Sequence, residues 1–318
     1  MVLDVAISNL TAPGVLAFAL GMVAGARGAS LRLPDAITGG LSMYLLLAIG
    51  LKGGEAIRAS SPGELVAPAI ATLALGVTAP VLAFAAARRL GRIAVPDAAA
   101  LAAHYGSVSI VTFTAAIVAV DVAGLTSEAY LPALVAILEV PGIAVAILLA
   151  HRHTGGRLGP ALTEALTGKS VLLLAGGIVI GAVASPAALD DAAPLFVGLF
   201  PGLLALYLLD LGAATGARLS DVRKFGAFLF GYAIAMPIVL GALGLVAGTA
   251  AGLSTGGIAV LAVMAASASY IAAPAAVSIA LPAANPALSM TAALGVTFPF
   301  NLLVGIPLLL WAAQALGT

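Results

Sequence analysis

Two short runs concentrate groups able to hold an ion inside otherwise apolar sequence: HYGSVSIVTFT at 104–114 and ASASYIAAP at 266–274. Each places several hydroxyls, with a Gly or a Pro, in the middle of a hydrophobic segment, where a polar group without a partner is costly. Helices carrying such runs are expected to be interrupted. An interruption frees backbone N–H groups, which suit an anion together with a helix N-terminal dipole, and frees carbonyls, which suit a sodium ion. The groups expected to hold an anion are the hydroxyls of Ser107, Ser109, Ser267 and Ser269, the backbone around Gly106, and the hydroxyls of Tyr105 and Tyr270. The structural alternative is that serines in membrane helices bond back to a carbonyl one turn earlier or bridge to a neighbouring helix.

No Lys or Arg lies deep in any apolar segment, so an anion would be held by neutral donors. That favours a small, weakly held anion over a polyanion, which would demand Arg clamps. Glu139 in LVAILEVPGIAV and Asp210 in LYLLDLGAAT stand well inside apolar runs. A carboxylate at membrane depth must meet a cation, a donor network or water, so either could help to hold a coupling Na⁺, or could fasten two helices as a protonated or capped group. Asn301 in FPFN offers a further neutral oxygen for Na⁺, or else satisfies backbone freed by Pro299. His104 could relay protons or hydrogen-bond locally at the head of its helix. Catalytic signatures such as HExxH, GxSxG and GxxxxGK[ST] are absent, and a Ser107–His104 hydrolase lacks an orienting acid, so the protein is expected not to be an enzyme.

The elements that must position these residues follow from composition. Of 318 residues, 62% are hydrophobic and 8% charged, a balance that would leave a soluble domain with apolar surface it could not cover. At roughly 20 residues per helical span, the apolar content is enough for about ten spans. The 13 Lys and Arg are matched by 13 Asp and Glu, which leaves no basic surplus for nucleic acid. There are no cysteines, which excludes disulfides and thiolate metal sites. The first apolar stretch follows Asp4 rather than a basic segment and reads as a span, not a cleaved signal.

Turn and charge punctuation marks apolar segments at about 10–26, 36–52, 65–87, 98–120, 129–150, 169–186, 195–215, 225–248, 256–280 and 288–313. They lack the alternation of barrel strands, so an all-α polytopic membrane protein with ten transmembrane helices is predicted. Loops after odd-numbered spans hold Arg27, Arg32, Arg88, Arg89, Arg92, Arg152, Arg157, Lys169, Arg218, Arg223 and Lys224, against Lys52 and Arg58 on the other side. The positive-inside rule then places both termini outside the cytoplasm, in a cell inner (plasma) membrane.

At an offset of 162 residues, Gly40, Gly50 and Gly54 fall over Gly202, Gly212 and Gly216, and Ser107 falls over Ser269. Five spans per half is an odd number, so the second copy enters the membrane from the other side, as in inverted-repeat transporters. The predicted organisation is a first five-helix repeat at 1–150, a cytoplasmic connection at 151–168 and a second, inverted repeat at 169–318. Interrupted helices at matching places in the two halves point to a binding site at the midplane.

The strings LSMYLLLAIGLKGG (41–54), HYGSVSIVTF (104–113), LEVPG (138–142), ASASYIAAPAA (266–276), LPAANPALS (281–289) and FPFN (298–301) together resemble the sodium-dependent bicarbonate transporter family of cyanobacteria. The resemblance runs over nearly the whole chain. It implies core and gate domains, a fold similar to bile-acid transporters and sodium/proton antiporters, and a homotrimer in the lipid bilayer. It also implies symport of bicarbonate with Na⁺ by an elevator-type motion. The anion site of the family carries over onto Gly106–Ser109 and Ser267–Tyr270. A PII-like regulatory protein on the cytoplasmic face is implied as well. The chain departs from the pattern in its short connection between the fifth and sixth helices, where cyanobacterial members carry a longer insert; this bears on the regulator and not on transport. Two other readings stay open: a carrier of the same fold for another small monovalent anion, and a proton-coupled antiporter using Asp210 or Glu139.

Overall fold

A segment surrounded by lipid must satisfy its backbone within itself or in a closed barrel. The computed structural model describes residues 11–29, 31–154, 163, 167–224 and 226–316, and these form helices and connections, with no strand among them. The first helices are α1 (Pro13–Ala26), α2 (Asp35–Ala59), α3 (Pro62–Arg89), α4 (Val95–Gly106), α5 (Ile110–Val122) and α6 (Leu131–Thr154). They are followed by α7 (Lys169–Val183), α8 (Pro186–Ala193), α9 (Phe200–Lys224), α10 (Gly226–Ala250), α11 (Thr255–Ala266) and α12 (Ala272–Ala280). Last comes α13 (Pro286–Leu316), wound into π-helical turns at Thr291–Thr297 and Asn301–Gly305.

Among the described residues, seven helical stretches are long and apolar enough to cross a membrane, and three shorter apolar helices accompany them: Pro13–Ala26, Val171–Val183 and Thr255–Ala266. The molecule is thus an all-helical polytopic membrane protein. The apolar segment expected from about 195 in fact begins at Pro186, where Ser185 accepts a hydrogen bond from the Ala188 N–H and caps α8. Asp190 and Asp191 read as loop residues in a hydropathy scan, yet a capped helix start tolerates them at its solvent end. Of the expected connection 151–168, residues 155–162 and 164–166 lie outside the described residues, Arg157 among them.

Small residues bring two helix pairs into backbone contact. Gly21 and Gly25 of α1 abut the carbonyls of Leu209 and Ala213, while Gly212 and Gly216 of α9 abut those of Phe18 and Met22. The second pair repeats the arrangement: Gly50 and Gly54 of α2 abut Leu174 and Ile178 carbonyls, and Gly181 of α7 abuts that of Leu51. A four-residue glycine spacing aligns the small positions on one helix face. Lipid tails are as apolar as Leu, so close backbone packing replaces the hydrophobic effect as the source of attraction.

The interior is occupied by the interrupted helices. In α4 every residue from Ala98 to Gly106 is buried, and in α11 every residue from Gly256 to Ala266. Helix α4 packs on α3 and α6, and α11 packs on α10 and α13, so each is sheathed by long apolar helices.

Candidate functional site

Both expected interruptions are present. Helix α4 stops at Gly106, Ser107 is extended (φ −105°, ψ 173°), and α5 restarts at Ile110. Helix α11 stops at Ala266, Ser267 is likewise extended (φ −81°, ψ 166°), and α12 restarts at Ala272. Ser107 and Ser267 each follow the last residue of their helix and stand 267 − 107 = 160 residues apart, against the offset of 162 read from the glycines.

The two breaks are bonded to each other. The Ser109 N–H donates to Ser267 Oγ at 2.8 Å. The Ser269 N–H donates to the His104 carbonyl at 2.7 Å. Ser109 Oγ accepts from the Thr112 N–H and from Thr112 Oγ1, capping α5. Ser267 Oγ donates to the Met264 carbonyl at 2.8 Å, and Ser269 Oγ accepts from the Ala273 N–H at 3.3 Å. Three of the four predicted serines thus serve the architecture of the crossing. The Ser107 hydroxyl, buried to 1% exposure, has no hydrogen-bond partner.

The tyrosines divide in the same way. Tyr105 was expected at the anion, but its hydroxyl meets Thr297 Oγ1 at 2.5 Å, and Thr297 in turn donates to the Ala233 carbonyl. It ties α4 to α13 and α10, because a buried phenol takes the nearest acceptor network. The Tyr270 hydroxyl lies beside Ser109 without a hydrogen bond of good geometry, while its ring stands edge-on to Phe298 with centroids 5.4 Å apart. Gly106 is wedged between Pro80 of α3 and Gly142 of α6, whose absent side chain would strike the Gly106 carbonyl.

The carboxylates also differ. Asp210 is buried at 1% exposure, and its Oδ1 accepts from Arg32 Nε at 2.9 Å and from the Leu33 N–H at 2.8 Å. Its Oδ2 accepts from Thr38 Oγ1 at 3.2 Å. A carboxylate so matched fastens the α1–α2 connection to α9 and is already neutralised by a protein cation. Glu139 stands one turn from Gly142 on the α6 face that meets α4, buried, with Oε2 unpartnered. Asn301 Nδ2 donates to the Ala266 carbonyl, the last of α11, at 2.8 Å, and its buried Oδ1 has no partner. Asn301 therefore belongs to the second break, and Glu139 lies beside the first.

His104, read from the sequence as a proton relay or a local hydrogen-bonding group, is buried beside the Ser269 backbone with no hydrogen bond of good geometry at either nitrogen. The hydroxyl of Thr291, which opens a π-helical turn, is buried without a partner and was left out of the sequence-based site. A lone Thr in a span ordinarily bonds the carbonyl one turn back, so no sequence signal marked it.

Two clefts approach the crossing from opposite ends of α2. One, of about 340 Å³, is lined by Thr38, Ser42, Lys169, Tyr207 and Ile271, and reaches the start of α12. The other, of about 450 Å³, is lined by Lys52, Glu55, Phe113, Thr114 and Asp121, and reaches the body of α5. Among the described residues no Lys or Arg is buried, and no three His, Cys, Asp or Glu gather as a metal site. The crossing can therefore offer hydroxyls, an amide oxygen and freed backbone groups to a small ion, and no fixed cation. No curated protein matches the chain at a significant level. A family model does match residues 13–314, a span that takes in both breaks and both clefts, and on that match the chain belongs to the Na⁺-dependent bicarbonate transporter superfamily.

Proposed function

We propose that the protein is a Na⁺-coupled bicarbonate symporter working by an elevator-type alternating-access motion. The observation that carries this reading is the cross-bonded pair of breaks, where the unpartnered hydroxyls of Ser107 and Tyr270 collect with no buried Lys or Arg among the described residues. Neutral donors in a low-dielectric site suit a small monovalent anion, because they stabilise charge without a second ion that must be stripped of water at each cycle. Na⁺ fits the oxygens beside it: Asn301 Oδ1 and Glu139 Oε2 are buried and unmatched. Asp210 is the weakest of the three Na⁺ candidates, since Arg32 already offsets its charge. Na⁺ held there attracts the anion directly, and by linkage the anion raises Na⁺ affinity by the same factor.

The organisation proposed is ten spans in two inverted five-helix repeats, 1–150 and 169–318. It is supported by the reciprocal glycine seams, in which α1 meets α9 as α7 meets α2, and by the paired breaks. The seamed pairs make a candidate gate, and the helices sheathing the crossing a candidate core. Clefts entering from opposite ends of α2 supply the two routes that alternating access requires. The excess of Lys and Arg in the connections after odd-numbered spans favours a cytoplasmic opening for the cleft that carries Lys169.

Symport of one Na⁺ with one bicarbonate moves no net charge, so the chemical gradient of Na⁺ would drive it; an excess Na⁺ would add about 2.3 kcal/mol per 100 mV. The buried, unmatched Glu139 favours a second reading, a proton-coupled carrier. Uptake of labelled bicarbonate into proteoliposomes, with and without an inward Na⁺ gradient, separates the two. Uptake that vanishes without Na⁺ supports the symporter, and uptake that persists and follows the proton gradient overturns it.

A further inference from the structure

His104 stands in the last turn of α4, two residues before the break, at 1% exposure. Its carbonyl holds the Ser269 N–H, so its backbone is locked to the opposite break, while its imidazole, beside the Ser269 backbone, makes no hydrogen bond of good geometry at either nitrogen. A buried imidazole at membrane depth with an acceptor nitrogen left over is expensive unless something that is present only part of the time completes it. The geometry points to His104 as the residue that recognises the O–H of the bound anion and so tells bicarbonate from other small planar anions, an inference that rests on the function proposed above.

The chemistry follows from counting donors and acceptors. Bicarbonate carries its charge on oxygens that accept hydrogen bonds, but it also has one O–H that must donate. Nitrate and formate match it in charge and approximate size and have no O–H. A site made only of donors would therefore favour them, because it would leave the bicarbonate hydroxyl facing another donor. Selectivity requires a fixed acceptor. In its neutral form an imidazole carries one acceptor nitrogen on a rigid ring, directed away from its N–H, and that nitrogen can take the O–H of bicarbonate.

The other unmatched acceptors serve less well. Asn301 is tied through Nδ2 to the Ala266 carbonyl, and its Oδ1 lies over Gly305 of its own helix, 2.5 Å from where a side chain there would begin. An ionised Glu139 would repel the anion, and a protonated one would add a donor. The Ser107 and Tyr270 hydroxyls rotate to suit any anion and so discriminate little.

The test is uptake of labelled bicarbonate by proteoliposomes under a Na⁺ gradient, with nitrate and formate as competitors, for the parent protein, His104→Ala and His104→Gln. The parent is expected to need at least tenfold more nitrate or formate than its bicarbonate KM for half-inhibition. His104→Ala should raise the bicarbonate KM on the order of tenfold, the usual consequence of one unmatched buried group, with competitor inhibition constants unchanged, so that selectivity collapses. His104→Gln keeps a donor and an acceptor and should stay within about threefold of the parent. Thermal melting in detergent distinguishes these effects from misfolding. Equal weakening of bicarbonate, nitrate and formate by His104→Ala, or a parent that takes bicarbonate but fails to discriminate, overturns the inference while sparing the symporter reading. A parent with no Na⁺-driven bicarbonate uptake overturns both.

Discussion

The first break, between α4 and α5, and the second, between α11 and α12, occupy equivalent places and are held by different means. The first is short, and Ser109 caps its restart by accepting from the Thr112 N–H. The second is longer, and at its restart the residue before the helix, Ile271, offers no side-chain cap, so that Ser269 accepts from the Ala273 N–H instead. At the first, the closing carbonyl of Gly106 is gripped by backbone packing against Gly142; at the second, the closing carbonyl of Ala266 is held by the Asn301 amide. The first break is therefore a rigid wall, and its spare hydroxyl, Ser107, is free for a ligand. The second has Ser267 and Ser269 engaged and keeps the Tyr270 hydroxyl spare. The two breaks thus divide the work of a site, one giving a serine hydroxyl and the other a tyrosine hydroxyl.

The largest effect expected from disturbing this contrast is at the wall. Gly142→Ala would drive a methyl group into the Gly106 carbonyl, part α6 from α4 and cost about 1–3 kcal/mol of stability, with uptake lost. Melting in detergent and uptake would record it, and a protein of unchanged melting and transport would show the wall to be soft. Next comes the comparison of hydroxyls. Ser107→Ala removes an unmatched donor and should raise the bicarbonate KM about tenfold with melting unchanged, whereas Ser269→Ala removes an acceptor already used by Ala273 and should raise it less than about threefold. A reversed order would move the anion to the second break. The smallest effect is at Asp210, outside both breaks. Asp210→Asn should cost about 1 kcal/mol or less, because Arg32 is 47% exposed and its pairing is screened, and should leave the Na⁺ concentration for half-maximal uptake unchanged. A marked rise in that concentration would return Asp210 to the Na⁺ site.

The helices and the breaks were legible in the sequence, for a plain reason. Long apolar runs have no stable form in lipid other than helix, and a cluster such as HYGSVS cannot stay helical there without leaving polar groups exposed to hydrocarbon. The placing of Gly106, Ser107 and Tyr270 at the crossing followed from the same signal. The start of α8 at Pro186 did not, because Asp190 and Asp191 lower the hydropathy of a helix that Ser185 caps.

What only the tertiary structure decided is which polar group finds which partner. Tyr105 and Tyr270 are alike in sequence setting, yet the hydroxyl of one meets Thr297 across 192 positions and that of the other is left beside Ser109 without a completed hydrogen bond. Asp210 is joined to Arg32 across 178 positions, a pairing no local pattern announces, while Glu139, equally buried, keeps Oε2 without a partner. Composition and hydropathy are local sums and determine where the chain must lie in a membrane. A hydrogen bond between distant segments depends on their approach to within about 3 Å, and that distance is set by the packing of all the helices together.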